Sequence, residues 1–399
     1  MPPTLKLLLT SFDYRPRLGG VATCSYETAK ALSRFSDVQI RFMSPRGTSR
    51  DADEGFDSHH LFETKRVLLP STAAAAIVPW AARIATETLL WQPDAILNFL
   101  WMPCGVASLL ATPGRAIHQT PYFVVTHGVE VLESNRTFKK RLRAQLAPAK
   151  NGVLKNAAGV FAVSNFTADL VATNCGVARE KITVIYNGVD SGIFHPTAKP
   201  ADLMQKYNLE GKHVFLTVTR FESYKGVDHA IGAMKQVVQR IPNAVYLVCG
   251  DGSDRARLTA LVKKHGLENY VIFSGPVAGV RLKDYYNLCD TFVLLTRDDR
   301  KAPNVEGFGI VFLEAAACAK PAIAGKSGGI PDAVADGETG WLVPPEDENL
   351  IAAAFIEAVE NPDKTRRLGL NALRRAREKF GWDQVALKIL NQIRQRTSS

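Results

Sequence analysis

The sequence predicts an α/β protein with two domains, each built around a doubly wound parallel sheet. Short apolar segments alternate with segments of helical length along the whole chain, which is typical of parallel sheets covered by helices. The chain has 399 residues, too many for one ordinary domain and suited to two of about 180–200 residues. The Asn187-Gly188 turn and Pro196 indicate a hinge, after which the alternation restarts.

The first half contains seven predicted strands: Leu5–Thr10, Val38–Met43, Arg66–Leu69, Ala95–Phe99, Tyr122–Thr126, Gly159–Ser164 and Thr183–Tyr186. Gly20–Phe35 and Ala73–Trp91 are predicted helices between them. The polar segment Ser44–Lys65 interrupts the alternation, and we predict a long loop there. Asp51 and Asp53 spell Asp-x-Asp within this loop, away from any strand end, so we expect both side chains to be solvated.

The second half repeats the pattern. Its predicted strands are His213–Thr219, Ala244–Cys249, Val271–Ser274, Thr291–Leu295, Pro321–Ala324 and Gly340–Val343. Its predicted helices are Val227–Arg240, Asp254–His265, Arg281–Asn287, Ile310–Ala319, Glu348–Glu360 and Lys364–Phe380. Ligands of doubly wound folds bind beyond the carboxyl ends of the strands, so the loops that follow the strands are the candidate site.

Composition narrows the class of protein. The chain is 46% hydrophobic and 22% charged, as in soluble globular proteins. It has no apolar run long enough to cross a membrane and no signal-peptide core before its first strand, so we expect a cytoplasmic protein. Its six cysteines are scattered, which predicts neither a metal site nor a disulfide framework.

Positive charge is concentrated in the first half. The net charge is +10, and residues 1–187 hold 21 Lys and Arg against 14 Asp and Glu. Such a half can attract nucleic acid, anionic lipid or phosphorylated ligands, but no nucleic-acid motif is present, so we expect no nucleic-acid partner. The basic, partly amphipathic segment Phe138–Lys150 is either a docking element for an anionic membrane or a core-facing helix with a solvated basic side.

Residues 304–314 carry the pattern most indicative of chemistry. Glu306 and Glu314 are eight residues apart, with Gly307 and Gly309 just after the first. The glycines would let a ligand approach the backbone, and the following helix start would attract an anionic group such as a diphosphate. The two carboxylates would then accept hydrogen bonds from sugar hydroxyls. The structural alternative is a solvated loop Glu and a helix-surface Glu.

Arg220 and Lys225 lie between a predicted strand and a predicted helix, which suits a diphosphate clamp. A polar turn with solvated charges is the alternative. Gly250 and Gly252 follow another strand, but Arg255 stands where a dinucleotide-binding fingerprint needs a third glycine. A nicotinamide site is therefore disfavoured.

Two features of the first half could contribute to binding. His127 ends a buried strand and is followed by a glycine, which suits a hydrogen bond to a substrate, although a structural histidine is the commoner case. Gly19 and Gly20 follow the first strand and allow either a close approach of ligand to backbone or a simple turn.

Taken together, these motifs resemble the retaining glycosyltransferases of family four, which have the GT-B architecture of two Rossmann-like domains facing a central cleft. The resemblance is carried by the E-x7-E pair in NVEGFGIVFLEA, together with YNGVDSGIF, RFESYKG, GDG and SGGIPDAVADGETGWLVPP in the family's order. It implies an acceptor-binding domain over residues 1–186, completed by a helix at 382–399, and a nucleotide-sugar-binding domain over residues 187–381.

The resemblance also implies roles for individual residues. Arg220 and Lys225 would bind the donor diphosphate, Glu306 and His127 the donor sugar, and Glu314 the ribose hydroxyls. The other residues that it places at the nucleotide sugar are Gly19, Gly20, Gly250, Val277 near the base, Gly307, Phe308, Gly309 and Ile310.

The implied reaction moves a hexose from UDP-glucose, another UDP-hexose or GDP-mannose to a lipid-linked or polysaccharide acceptor. It would proceed with retention of configuration and without a metal or other cofactor, in an enzyme that is cytoplasmic or peripheral on the cytoplasmic face of a membrane. The wording of NVEGFGIVFLEA is most similar to enzymes of the phosphatidylinositol-mannosyltransferase type. Two alternatives remain open: an inactive scaffold that binds a sugar nucleotide, and a sugar-nucleotide epimerase of the same architecture.

Overall fold

The computed structural model describes residues 4–15, 19–47, 49–59, 61–111, 120–132, 147–277, 279–298 and 304–397. Their contacts divide the chain into two compact units. The first comprises Met1–Asn187 and Trp382–Ser399, and the second comprises Gly188–Gly381. The chain therefore passes from one unit to the other inside the Asn187-Gly188 turn.

The first unit has a seven-stranded, wholly parallel sheet with the order β3-β2-β1-β4-β5-β6-β7. Its strands are β1 Leu5–Thr10, β2 Val38–Pro45, β3 Glu63–Val67, β4 Ala95–Asn98, β5 Tyr122–Thr126, β6 Gly159–Ala162 and β7 Ile182–Val184. Its main helices are Gly20–Leu32, Arg50–Asp57, Ala73–Trp91, Val106–Ala111, Ala147–Asn156, Asn165–Cys175 and Trp382–Thr397. The strand order reverses direction between β1 and β4, which is the switch point of a doubly wound sheet.

The last helix of the chain, Trp382–Thr397, is fixed to this first unit by polar contacts at both ends. Near its start Asp383 pairs with Arg34 at 2.7 Å. Near its end the Arg396 guanidinium donates to the carbonyls of Ala158 at 3.0 Å and Lys181 at 2.9 Å.

The prediction of a long loop over Ser44–Lys65 is wrong. A helix, Arg50–Asp57, lies within this segment. Asp53, expected to be solvated, is 3% exposed and accepts a hydrogen bond from the Gly47 N–H at 2.6 Å. Arg66 donates to both carboxylate oxygens of Asp57 at 2.8 Å. Acidic residues that look solvated in the sequence thus hold this segment against the sheet edge.

The position of β3 also differs from the prediction. The strand covers Glu63–Val67 instead of Arg66–Leu69, because its backbone pairs in register with Arg41–Pro45 of β2. Polar residues are tolerated in β3 because it is an edge strand, and these residues hide the apolar pattern by which a strand is recognised in sequence. Leu68, which lies beyond the end of β3, is 77% exposed.

The second unit has a six-stranded parallel sheet with the order β10-β9-β8-β11-β12-β13. Its strands are β8 His213–Val218, β9 Ala244–Cys249, β10 Val271–Gly275, β11 Thr291–Leu294, β12 Ala322–Gly325 and β13 Gly340–Val343. Its helices are Ala201–Lys206, Val227–Arg240, Arg255–Lys264, Gly279–Leu288, Ile310–Ala317, Ile330–Ala333, Glu348–Glu360 and Pro362–Lys379. The switch point lies between β8 and β11. The structure thus confirms the predicted fold class of two doubly wound parallel sheets.

Strand burial explains why hydrophobic periodicity predicted the strands of this second sheet closely. All residues of β9, β11 and β12 are buried, as expected of parallel strands covered on both faces. One of the covering contacts is the stacking of Phe215 of β8 on Phe355 of the helix Glu348–Glu360, with ring centroids 4.4 Å apart.

No described helix combines the length and apolar character needed to span a membrane.

Candidate active site

The carboxyl ends of β8 and β11, at the switch point of the second unit, position Lys225 and Glu306. Lys225 follows β8 in the short 3₁₀ turn Ser223–Lys225. The next residue, Gly226, has a φ of +72° and packs so closely that a Cβ there would lie 2.0 Å from the carbonyl oxygen of Leu295. The Arg297 N–H donates to the carbonyl of Tyr224 at 2.8 Å. The turn that carries Lys225 is therefore fixed against the end of β11.

Lys225 and Glu306 form a close ion pair. The Lys225 Nζ lies 2.7 Å from Glu306 Oε2, and the two side chains are 11% and 18% exposed. Burial by itself would lower the pKa of Lys225, but the charge of Glu306 and hydrogen bonds to Glu306 and Tyr224 outweigh it and raise that pKa. The ammonium also lies over the Tyr224 ring, 4.8 Å from its centroid. Lys225 is thus a charged, oriented donor beside a carboxylate.

The loop that carries Glu306 is held by its backbone. The Gly329 N–H donates to the Glu306 carbonyl at 2.8 Å, and a Cβ on Gly328 would lie 2.4 Å from the same oxygen. Gly309, with a φ of +91°, precedes the helix Ile310–Ala317. Gly307 and Phe308 are buried, and the Phe308 ring contacts the Phe380 ring at 5.8 Å. The sequence prediction of a loop glutamate followed by a glycine-preceded helix matches this arrangement.

Glu314 is the fifth of the eight residues of that helix, and it is held by a residue that sequence reasoning missed. The hydroxyl of Tyr286 donates to Glu314 Oε2 at 2.7 Å. Tyr286 belongs to the helix Gly279–Leu288, which precedes β11, and its side chain is 0% exposed. In the sequence it is one residue of the predicted helix Arg281–Asn287, and only the packing of that helix beside Ile310–Ala317 reveals the contact.

Arg220 lies further out and is open to solvent. Its side chain is 76% exposed and contacts Glu222 at 3.1 Å. It lines an open groove, whose other lining residues are Glu222, Ser223, Tyr224, Asp251, Gly252, Ser253 and Asn304. Arg220 is therefore accessible from the groove, whereas Lys225 is mostly buried.

Gly250 and Val277 follow β9 and β10, at the same edge of the sheet. Gly250 has a φ of +134°, and a Cβ there would lie 1.8 Å from the Thr219 carbonyl oxygen. Packing between loops explains this glycine without any ligand. Val277 is half-buried two residues after β10 ends.

In the first unit, His127 follows β5 and presents a defined tautomer. Its Nε2 lies 3.0 Å from the Phe99 carbonyl oxygen, which can only accept, so Nε2 carries the proton and Nδ1 is an acceptor. Burial lowers the pKa of His127, and the opposing effects of Glu130, the Phe99 carbonyl and Asp13 are smaller. His127 is therefore a neutral imidazole near pH 7.

Gly19 and Gly20 lie exposed at the start of the helix Gly20–Leu32, after β1. A Cβ at Gly20 would meet no atom within 4 Å, and one at Gly19 would make an ordinary contact with Asp13 Oδ2 at 3.4 Å. The described neighbours thus leave space for a side chain at Gly20. The basic segment Phe138–Lys150 lies outside the described residues up to 146.

Comparison with known proteins identifies the family. The family described as "Glycosyl transferases group 1" matches residues 201–375, and "Glycosyltransferase Family 4" matches residues 18–192. The chain is 27% identical over 396 residues to a GDP-mannose-dependent alpha-(1-6)-phosphatidylinositol monomannoside mannosyltransferase of Mycobacterium tuberculosis, covering 98% of each chain. It is 25% identical over 406 residues to a glycogen synthase of the same organism, covering 96% of this chain and 92% of that one.

A solved structure agrees in fold. The sucrose-phosphate synthase of Thermosynechococcus elongatus superposes with a TM-score of 0.82 at 22% identity, over 99% of each chain. The two family matches fall one in each doubly wound unit and together cover most of the sequence. The chain belongs to glycosyltransferase family 4 and has the GT-B fold.

Proposed function

We propose that this glycosyltransferase moves a hexose from a nucleotide-diphosphate sugar to a lipid-linked or polysaccharide acceptor, with retention of configuration and without a metal. The observation that carries the proposal is the Lys225–Glu306 pair at the switch point of the second unit, 2.7 Å apart and mostly buried. A cation and a carboxylate at that place suit a ligand with an anionic diphosphate joined to a hydroxyl-rich sugar.

The proposed chemistry rests on where charge develops. Departure of a nucleoside diphosphate builds negative charge on its phosphates, and Lys225 with the backbone N–H groups after Gly309 would stabilise that charge. Arg220, exposed in the open groove, would close onto the diphosphate as a second cation. These groups would take the part that a metal ion plays in other transferases.

The carboxylates and the histidine would recognise hydroxyls. Glu306 would accept from the donor sugar, and Glu314, on the helix beyond Gly309, from the ribose. His127 would accept from a sugar hydroxyl through Nδ1, since its Nε2 proton is directed to Phe99. Gly20 has room for a Cβ in the protein alone, so its lack of a side chain suits close approach of a phosphate instead of internal packing.

The donor proposed first is GDP-mannose. A relative that matches nearly the whole length of the chain is named for this donor and for a phosphatidylinositol mannoside acceptor. We therefore propose a glycolipid or surface polysaccharide as the product and the cytoplasmic face of a membrane as the place of transfer. UDP-glucose and other UDP-hexoses are the competing donors.

The test is release of nucleoside diphosphate and transfer of labelled sugar from GDP-mannose, UDP-glucose and UDP-N-acetylglucosamine, with and without vesicles that contain phosphatidylinositol mannoside. One donor should react in the presence of chelator, and NMR of the product should show the anomeric configuration of the donor. Glu306→Gln should lower the rate by about a hundredfold or more, whereas Glu268→Gln, at an exposed position that does not line the groove, should not. Equal rates in wild type and Glu306→Gln would refute the assignment, and conversion of the donor without transfer would favour an epimerase.

A further inference from the structure

The contact between Tyr286 and Glu314 points to a residue that none of the sequence motifs contains. The Tyr286 hydroxyl donates to Glu314 Oε2 at 2.7 Å, from a helix that is distant in sequence from the E-x7-E motif. The Tyr286 ring is packed edge-on against Phe194 and tilted against Phe292, with centroids 5.8 Å and 5.7 Å away. A fully buried ring with aromatic neighbours on two sides has little rotational freedom, so its hydroxyl is a fixed point.

The phenol can act only as a donor in this contact. Burial raises the pKa of Tyr286 far above its ordinary value, and the charge of Glu314 and the hydrogen bond to it act in the same direction. The hydroxyl is therefore protonated near neutral pH and donates to the carboxylate. A protonated donor on a fixed ring, beside a partly exposed carboxylate, orients that carboxylate.

We propose that Tyr286 is a positioning residue that sets the orientation of the Glu314 carboxylate for the two vicinal hydroxyls of the donor ribose. Two neighbouring hydroxyls require the plane of a carboxylate to lie at one angle, whereas a single hydroxyl tolerates many. The hydrogen bond from Tyr286 to Oε2 restricts rotation of the Glu314 carboxylate about its last side-chain bond, and so it keeps the carboxylate plane at one angle. The inference rests on the proposed function, because it assumes that Glu314 meets a ribose.

Tyr286→Phe removes the oxygen and keeps the ring. The neighbouring Tyr285→Phe is a matched control: Tyr285 lies on the same helix, is 6% exposed, and bonds the hydroxyl of Tyr207 at 3.0 Å. Each change deletes one phenolic hydrogen bond from a packed ring. Only the first of them touches Glu314.

The experiment is calorimetric titration of GDP and UDP, and of their 2′-deoxy analogues, into wild type, Tyr286→Phe and Tyr285→Phe. Wild type should bind one ribonucleotide and should bind its 2′-deoxy analogue about tenfold more weakly, as expected for loss of a hydrogen bond to a charged group. Tyr286→Phe should bind the ribonucleotide about threefold to tenfold more weakly and lose most of the discrimination. Tyr285→Phe should keep it.

A double mutant makes the test specific. In a Glu314→Gln background, Tyr286→Phe should cause little further loss of affinity, because the group it positions is already changed. In the transfer reaction, Tyr286→Phe should raise KM for the donor more than it lowers kcat.

The failures are distinguishable. If wild type binds neither nucleotide, the proposed function falls and this inference falls with it. If wild type binds and discriminates while Tyr286→Phe discriminates equally well, the proposed function stands and the inference is refuted. A folded Tyr286→Phe protein that binds the ribonucleotide and its 2′-deoxy analogue with nearly equal affinity would establish it.

Discussion

Lys225 and Glu306 lie 81 positions apart in sequence and 2.7 Å apart in space, each the main charged partner of the other. The family resemblance assigns them separate ligands, a diphosphate and a sugar. Because the two side chains pair with each other in the ligand-free protein, donor binding would exchange their partners. The diphosphate would pair with Lys225, and a sugar hydroxyl would replace the Lys225 ammonium as the donor to Glu306. A free nucleoside diphosphate can make only the first replacement, so it would leave Glu306 without its partner.

That exchange predicts an unusual effect of Glu306→Gln. Without the competing carboxylate, Lys225 is more available to phosphate, so the variant should bind free nucleoside diphosphate about threefold to tenfold more tightly while transferring sugar far more slowly. Calorimetric titration of the variant with nucleoside diphosphate measures the first effect. Glu222→Gln, which removes the carboxylate beside the exposed Arg220, is the control and should change affinity less. Weaker binding of the diphosphate by Glu306→Gln would exclude the exchange.

The same pair should be visible in stability without any ligand. Lys225→Met leaves a mostly buried carboxylate without its cation, and we expect a loss of about 1–3 kcal/mol in the free energy of unfolding of the second unit. The double change Lys225→Met/Glu306→Gln removes both charges and should recover part of that loss. Chemical denaturation of the single and double variants provides the measurement. A double variant as unstable as the sum of its single changes would show that the pair contributes nothing.

Two glycine-to-alanine changes should separate packing from ligand approach. Gly226→Ala places a Cβ 2.0 Å from the Leu295 carbonyl oxygen at a φ of +72°, so it should unfold or severely destabilise the second unit. Gly20→Ala meets no atom within 4 Å and should leave the melting temperature nearly unchanged. If a phosphate approaches Gly20, the Gly20→Ala variant should nevertheless lose donor affinity. Wild-type donor affinity in a stable Gly20→Ala protein would remove this glycine from the donor site.

His127 predicts a loss of stability on the acidic side. Its pKa in the folded protein is lowered by burial, while in the unfolded chain it is about 6.5. As pH falls below about 6.5, the unfolded chain takes up this proton before the folded one does, so stability decreases until the folded pKa is passed. Above that range His127 adds no pH dependence.

The check compares melting temperatures at about pH 7.5 and about pH 5.5. The His127→Gln variant should lose less stability between these values than wild type does. His213 in the second unit also has a pKa lowered by burial, so His213→Phe should show a reduced loss of its own, and the double variant should lose less than either single variant. An unchanged pH response in His127→Gln would show that this imidazole is not the group responsible.

Much of the fold followed from sequence because parallel strands buried on both faces leave continuous apolar runs. β5 and β9, whose residues are all buried, match their predicted bounds for this reason. The helices Ala73–Trp91 and Val227–Arg240 also match their predicted bounds. The edge strand β3 did not follow. It is stabilised by pairing with β2 and by the Arg66–Asp57 contact. These are tertiary interactions, and they cannot be predicted from the polar sequence of the strand itself.

The candidate site divides in the same way. Glu306, Gly309 and Glu314 could be placed because a glycine before an alanine-rich helix has a local meaning. Tyr286 could not, because its role depends on which helix packs beside Ile310–Ala317. The family motif assigns Gly250 to the nucleotide-sugar site. In the structure a side chain at Gly250 would collide with the Thr219 carbonyl oxygen, so loop packing alone accounts for a glycine at this position.

The most direct test of the account is calorimetric titration of GDP-mannose, UDP-glucose and UDP-N-acetylglucosamine into wild type and Lys225→Met. We predict that one donor binds selectively to wild type, with GDP-mannose first among them, and that Lys225→Met binds it at least about tenfold more weakly. Equal affinity of the two proteins would contradict the placing of the diphosphate at Lys225. Absence of binding by every donor would contradict the proposal that the second unit holds a sugar nucleotide.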